Sequence, residues 1–292
     1  MMKLHVLTVP LALALGTVIS LNASAQTTFN GGGDWFNAAN WSAGVPTAAT
    51  DAILAFSSGT ATINGADASA QSLTVNFGSD LTITSNRLDV GSGGMSMTSA
   101  RTVTVSSGVV LESGGGDIDR GGLFTGGGAI NFSSGTLDLN NDSFLTLSGG
   151  TTLTTSATTI KTEAGSLLIN GDSSWNNSGT MSVQGGSSRL DIQGASSMFS
   201  NTGTFNVTNG NTYNVNSLNG GMFQNGGLIS VADNTSVVFQ NFSDAGGSIQ
   251  LGTGSSINTG GSLTLNGGTL SGNGTVNGSA NLTVVGGNVS PG

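Results

Sequence analysis

The chain has 292 residues, of which 6 are Lys or Arg and 15 are Asp or Glu, so its formal net charge is −9. Charged residues make up 7% of the chain, against about 25% in an ordinary globular domain. This balance excludes a basic nucleic-acid-binding protein, because too few cations are present to displace counterions from phosphates. Glycine contributes 49 residues while Pro, Glu and Lys are scarce, a composition that favours a thin, repetitive core over disorder.

The first 25 residues have the pattern of a secretory signal peptide. Lys3 precedes an apolar run over residues 4–21, and the small residues before position 26 predict cleavage after Ala25. A transmembrane anchor is the alternative, but Pro10 and Gly16 interrupt the run, and a span needs about 20 apolar residues. We therefore expect export through the general secretory route and no membrane span in the mature chain.

Cleavage would remove His5, the only histidine, and the chain has no cysteine. Disulfides and thiolate metal sites are thereby excluded. Acid–base chemistry near neutral pH would have to use carboxylates, Lys161 or Tyr213 with a shifted pKa. We expect no cofactor and no catalytic centre.

Residues 26–60 are predicted to form an N-terminal cap or entry segment. Trp35, Trp41 and Pro46 lie in it and are expected to plug the first winding of the following domain. A sugar-stacking platform, formed by the two tryptophans with Pro46, is the alternative role.

Residues 61–292 are predicted to form repeated short strands and almost no helix. Runs such as Ser72–Phe77, Arg101–Val105 and Ser262–Leu265 alternate apolar and polar residues and are bounded by Gly, Asn, Ser or Asp. Strands of this kind fit a sandwich, a barrel or a solenoid equally well.

An internal repeat favours the solenoid. An aromatic residue followed by x-Asn-x-Gly occurs at Trp175, at Phe199 and at Phe223, with 24 residues from one copy to the next. A shorter copy follows at Phe239. A constant period of this length indicates stacked windings. We therefore predict a right-handed parallel β-helix of about 10 coils with three faces per coil, in which glycine occupies corners of positive φ.

Stacking at about 4.8 Å would bring equivalent side chains into contact. The aromatic residues of the repeat are expected to form one column inside the solenoid, and its asparagines a ladder in which each amide bonds to the next. The predicted members are Trp175, Phe199, Phe223 and Phe239 for the column, and Asn177, Asn201, Asn225 and Asn241 for the ladder.

Asp117, Asp119 and Arg120 form the densest polar cluster, within a glycine-rich stretch. The two aspartates are two residues apart and would project from one face of a strand. They are weak candidates for a calcium site or for paired acids in glycoside cleavage. A solvated turn, in which Arg120 neutralises a carboxylate, is the interpretation we favour, and we expect no metal. The threonine pairs at 151–152, 154–155 and 158–159 allow a flat ice-binding face as a further alternative, although threonine also favours exposed strands.

The segment Gly33-Asp-Trp35-Phe-Asn-Ala-Ala-Asn40-Trp41 through Gly44-Val-Pro46 and on to Phe56 resembles the entry segment of bacterial autotransporter-type passengers. It is also similar to exported β-helix proteins with a PEP-type C-terminal sorting signal. The aromatic-x-Asn-x-Gly units and the closing Gly268–Gly274 and Gly286–Gly292 stretches resemble the same group. In such families a Ser-Pro-Gly motif leads into more repeats and then a membrane barrel or a sorting anchor, whereas this sequence stops at Gly292 with neither. We therefore expect this chain to be a fragment, truncated at its C-terminus.

The resemblance implies an exported structural or adhesive β-solenoid, at the surface of a Gram-negative-type bacterium or secreted from it. Its partners would be extracellular carbohydrate or neighbouring surface proteins, with no nucleic acid. A carbohydrate-active β-helix enzyme, either a polysaccharide lyase or a glycoside hydrolase that uses Asp117 and Asp119, is the alternative function.

Overall fold

A computed structural model describes residues 24–140, 144–156, 159–162, 166–184, 188–208, 210–260, 263–278 and 282–292. Within these ranges nearly all regular structure is short β-strand, and the one helix is a 3-10 turn at Ala38–Asn40. No helix in the same ranges has the length and apolar character that crossing a bilayer requires. The predicted scarcity of helix is therefore confirmed for the described residues, and the predicted signal segment up to residue 23 lies outside them.

The described residues contain short strands throughout. The first twelve are β1 (Ala25–Phe29), β2 (Gly33–Asp34), β3 (Thr50–Leu54), β4 (Gly59–Ile63), β5 (Ala68–Val75), β6 (Ser79–Ile83), β7 (Arg87–Met97), β8 (Arg101–Val105), β9 (Val110–Ser113), β10 (Gly116–Asp119), β11 (Gly122–Thr125) and β12 (Ala129–Phe132). The next eleven are β13 (Thr136–Asn140), β14 (Phe144–Leu147), β15 (Thr152–Thr155), β16 (Thr159–Thr162), β17 (Ser166–Ile169), β18 (Ser174–Asn177), β19 (Thr180–Gln184), β20 (Arg189–Gln193), β21 (Met198–Asn201), β22 (Thr204–Thr208) and β23 (Thr212–Leu218). The last eleven are β24 (Met222–Asn225), β25 (Leu228–Val231), β26 (Ser236–Phe239), β27 (Phe242–Asp244), β28 (Ser248–Leu251), β29 (Ser256–Thr259), β30 (Leu263–Asn266), β31 (Thr269–Gly272), β32 (Thr275–Gly278), β33 (Leu282–Val285) and β34 (Asn288–Pro291).

These strands form three parallel ladders, one for each face of a winding chain. Ladder I joins β1, β3, β5, β7, β10, β13, β16, β19, β22, β25, β28, β31 and β34. Ladder II joins β5, β7, β9, β12, β15, β18, β21, β24 and β27. Later in the chain, β30 and β33 form a separate parallel pair. Ladder III joins β2, β4, β6, β8, β11, β14, β17, β20, β23, β26, β29 and β32.

The molecule is a β-solenoid of about 11 turns, and the predicted fold class is confirmed. Strands β5 and β7 run without a break through the corner between ladders II and I. The first turn already uses β1 and β2, which lie in the segment predicted to be a cap, and β3 pairs with β1 on one side and β5 on the other. Because the solenoid begins at β1, it has about 11 turns, one more than the 10 coils predicted from the sequence.

The alternation seen in the sequence sets which side chains enter the core. In Met198–Asn201 and Thr204–Thr208 every second residue is buried, and the residues between them are partly exposed. Successive side chains of a strand point to opposite faces, so one register places all apolar residues of a ladder inside. Each turn therefore buries little apolar surface by itself, and stability comes from contact with the turns on either side.

The N-terminal end of the core is closed by aromatic residues. Trp35 and Trp41 are buried, with ring centroids 4.8 Å apart, and Phe29 lies 4.9 Å from Trp41. The Trp41 indole N–H donates a 2.6 Å hydrogen bond to the Trp35 carbonyl oxygen. Pro46 is buried as well. The residues predicted to plug the first turn thus lie inside it.

The repeat contains glycine for a structural reason other than the positive φ that was expected. Gly203 and Gly227 do not adopt positive φ. A Cβ on Gly203 would overlap the carbonyl oxygen of Gly179, and one on Gly227 would overlap that of Gly203. The repeat requires glycine here because adjacent turns bring backbone against backbone, and the left-handed corners are at other positions such as Asn219 and Gly220.

Candidate functional site

The predicted aromatic column exists in ladder II. Trp175 pairs in register with Phe199, and Phe199 pairs with Phe223. Their ring centroids are 5.7 Å and 4.9 Å apart, and the two phenylalanine rings are nearly parallel, with 20° between their planes. All three rings are buried. The column is a packing element of the core and is not accessible to a ligand.

Phe239 does not continue the column, and this part of the prediction is wrong. Phe239 lies on β26 in ladder III, opposite Val215, and its ring faces Phe223 across the core at 5.0 Å. The position below Phe223 is taken by Phe242, at 6.0 Å and nearly parallel to it. Asn225 and its register partner Asp244 are 19 residues apart, whereas Asn177 and Asn201 are 24 residues apart. Because this turn is shorter, its aromatic residue Phe239 falls outside the column.

The asparagine ladder runs beside the column. The Asn177 side-chain amide donates to the Asn201 side-chain oxygen at 2.9 Å, and Asn201 donates in the same way to Asn225 at 2.8 Å. On the N-terminal side, the Trp175 indole N–H donates to the Thr155 hydroxyl, which in turn donates to the Asn177 oxygen. Buried amides are thus satisfied by their equivalents in the next turn.

Asn241 is not a member of the ladder, and this prediction is also wrong. Its amide donates to the Gly221 carbonyl oxygen at 2.9 Å. Asp244 takes the ladder position opposite Asn225, accepts its amide proton at 3.4 Å, and also accepts from the Asn266 backbone N–H at 3.2 Å. Asp244 is almost fully buried. The same shortening that displaces Phe239 places a carboxylate at the end of the ladder.

Asp117 and Asp119 lie on strand β10, and Ile118 between them is buried. Asp117 is exposed and Asp119 partly exposed, so both project outward from ladder I as predicted for a strand. Arg120 follows at a corner with φ of 61°. The turn interpretation is therefore corrected, because the two carboxylates belong to a strand and only Arg120 begins the corner.

Two adjacent clefts lie along the glycine-rich corner between ladders II and I. One has a volume of about 250 Å³ and includes Asp117, and the other has about 390 Å³ and includes Asp89 and Glu112. Ser92 and Gly114 line both clefts, whereas Asp119 lines neither. Of the two predicted acids, only Asp117 therefore lines a cleft, and Asp89 and Glu112 are further carboxylates that line the neighbouring one.

Asp89 and Glu112 were not singled out in the sequence, although both occupy outward positions and are register partners. Arg87 pairs with Asp89, and the Asn131 amide donates to Glu112 at 2.7 Å. These bonds fix carboxylates along the cleft. In the described part of the chain, no group of three or more His, Cys, Asp or Glu side chains could hold a metal ion.

A second feature missed from the sequence is the corner strip, formed by Phe56, Phe77, Arg101 and Phe144 at the corner between ladders I and III. Phe56 follows β3, Phe77 follows β5, Arg101 begins β8 and Phe144 begins β14. The residues share no motif or constant spacing, so only the stacking of turns brings them into one row.

Comparisons of the chain with protein-family models, with curated proteins and with solved structures found no significant match.

Proposed function

We propose that this protein is an exported structural or adhesive β-solenoid, similar to an autotransporter passenger and without a catalytic centre. The observation that supports the proposal most is the continuous stacking of equivalent side chains in the column and the ladder. Such a core makes an elongated body that is stabilised by contacts between its own turns. Its outer faces are then available for contact with a surface or with neighbouring chains.

The outer side of ladder I supports an adhesive role. Ser182, Asn206, Ser230 and Gln250 are register partners and project outward in one column. They offer hydroxyl and amide groups on a surface that carries few charges. Groups of this kind form many weak hydrogen bonds with hydroxylated surfaces such as polysaccharides, each worth about 1 kcal/mol.

Export and adhesion are tested together by expressing the full chain in a Gram-negative host. Fractionation should place the protein outside the inner membrane, and N-terminal sequencing should begin at Gln26. The variant Ala25→Phe, which removes the small residue before the cleavage point, should accumulate uncut. A chain that stays uncut in the cytoplasm would refute export. Purified protein that fails to bind hydroxylated surfaces would refute adhesion.

A polysaccharide-degrading enzyme is the second candidate, favoured by the two clefts that carry Asp117, Asp89 and Glu112. Paired carboxylates are the usual groups for glycoside cleavage. Activity would appear as new reducing ends or unsaturated sugars from acidic or plant polysaccharides. Asp117→Ala should abolish it, and Asp119→Ala, outside the clefts, should not. If the parent protein releases no product, this alternative fails.

A further inference from the structure

The three most exposed phenylalanines of the described residues all lie in the corner strip. Phe56, Phe77 and Phe144 are 70%, 57% and 62% exposed, while the other phenylalanines are buried or only partly exposed. A chain with 12 phenylalanines has no packing reason to leave three of them outside on the same corner. Three exposed apolar rings along one corner give this edge of the solenoid an apolar surface that a ligand can contact.

The corner strip also carries a cation, Arg101, that has no ion-pair partner within the described ranges. The Arg101 guanidinium lies over the Phe77 ring at 5.0 Å. The described residues form ion pairs at Arg87 and Arg189, and none at Arg101 or at Arg120 on the next turn. In a chain of net charge −9, Arg101 thus lies against an exposed aromatic ring without an ion-pair partner among the described residues.

Two polar atoms at this corner are shielded from solvent and have no hydrogen-bond partner within the described ranges. They are the Arg101 Nε and the Ser99 hydroxyl oxygen. Leaving such a group unpaired is unfavourable. Arg101 as a whole is partly exposed, so an anionic or oxygen-rich partner would bind the outer guanidinium nitrogens and not the shielded Nε.

Between Arg101 and Phe144 lies an open cleft of about 330 Å³. Thr102, Leu123 and Thr146 complete its walls, with Ala100 and Gly122. The volume is at the lower end of the range of about 300–1,000 Å³ that small-molecule sites occupy. The cleft therefore combines a cation, hydroxyl groups and an aromatic face in a space that fits a single small unit.

The dimensions of the corner strip favour a thin, linear ligand over a folded protein. Four steps between stacked turns separate Phe56 from Phe144, which is about 19 Å at about 4.8 Å per step. The row is one side chain wide, whereas a stable protein interface buries about 800 Å² on each partner. A sugar chain lies along such a row with its flat faces on the rings.

We propose that the corner strip binds a polysaccharide that carries carboxylate groups, with sugar rings on Phe77 and Phe144 and a carboxylate on Arg101. Arginine binds carboxylates through two parallel N–H···O bonds, and the phenylalanine rings supply apolar faces. The inference rests on the proposed adhesive function and names the ligand class and the site.

The test measures binding of the exported protein to polygalacturonate and alginate oligosaccharides by calorimetry, with neutral dextran oligosaccharides for comparison. Phe144→Ala and Arg101→Gln should each weaken binding of the acidic sugars about tenfold or more. Leu218→Ala, at another exposed apolar residue, and Arg87→Gln, which removes the same charge elsewhere, are matched controls and should change binding less than about twofold. Circular dichroism should show that all four variants fold.

Several results of the binding measurements would overturn the inference. They are no binding of acidic sugars by the parent protein, equal binding of dextran, and an Arg101→Gln variant that binds as the parent does. Sedimentation that shows a dimer broken by Phe144→Ala would assign the strip to a second copy of the chain instead. Retention of the protein in the cytoplasm would refute the proposed function, whereas unchanged surface adhesion by Phe144→Ala would refute only this inference.

Discussion

The side-chain amide of Asn177 donates a 2.9 Å hydrogen bond to the side-chain oxygen of Asn201, which lies 24 residues later and one turn further along the solenoid. Asn201 repeats the bond to Asn225, and Asn225 donates to the carboxylate of Asp244. All of these amides donate in the same direction along the rod. Their dipoles are aligned, and the last acceptor is a group that only accepts, so the series ends without an orphaned donor.

Replacement of Asn201 by alanine should therefore destabilise the protein. The change removes two ladder bonds and leaves the buried oxygen of Asn225 without the amide that donates to it. We expect the free energy of unfolding to fall by about 2–4 kcal/mol, measured by urea denaturation. Asn206→Ala, on the outer side of the neighbouring strand, is the control and should change it by less than about 0.5 kcal/mol. Equal losses in the two variants would contradict the ladder.

Phe199→Ala should cost about 3 kcal/mol or more, because it opens a cavity between Trp175 and Phe223 in the buried column. Phe77→Ala removes the same side chain at a position that is 57% exposed, and its effect on unfolding should be small. Chemical denaturation of both variants measures the difference. A loss near zero for Phe199→Ala would show that the register is wrong.

Gly203→Ala is expected to be among the most damaging small substitutions, since the added methyl group would overlap the Gly179 carbonyl oxygen. The turns would have to separate locally, and overpacking of this kind costs about 1–3 kcal/mol or more. Gly31→Ala is the matched control, because its nearest neighbour would lie at an ordinary 3.5 Å. Thermal unfolding should separate the two variants clearly, and identical melting temperatures would refute the close backbone approach.

Tyr213, the single tyrosine, should make stability fall at alkaline pH. Burial, with a smaller contribution from Asp191, raises the pKa of its hydroxyl well above the ordinary value. The unfolded chain loses this proton at about pH 10, so the free energy of unfolding should decrease as pH rises above that value. Tyr213→Phe should remove this dependence, and absorbance of the phenolate measures the titration directly. Ionisation of the folded protein near pH 10 would contradict the prediction.

At neutral pH the same variant tests the buried hydroxyl. The Tyr213 oxygen has no hydrogen-bond partner within the described ranges. Removing an unpaired buried polar group is neutral or favourable, so Tyr213→Phe should be as stable as the parent or more stable by about 1 kcal/mol. Urea denaturation at pH 7 provides the measurement, and a loss above about 1 kcal/mol would mean that the hydroxyl has a partner.

In the unbroken part of the repeat, the stacking of the aromatic and asparagine side chains could be predicted from the amino-acid order, but the reason for its glycines could not. Trp175, Phe199 and Phe223 recur at equal spacing, and stacked strands convert equal spacing into contact. Phe239 and Asn241 were misplaced because the next turn is shorter, and nothing in the local sequence distinguishes a shortened corner from a shortened strand. A motif with a constant period thus predicts its own register only while the turn length stays constant.

The sequence alone determined that the chain winds into stacked parallel turns, since alternation sets which side chains face inward and a fixed period sets what lies above them. Only the tertiary structure decided what meets on the outside. Phe56, Phe77, Arg101 and Phe144 are far apart in the chain and follow no pattern, and the corners between them vary in length. Whether these residues become neighbours depends on the number of residues in each intervening turn. Only the pairing of strands in the ladders fixes that number.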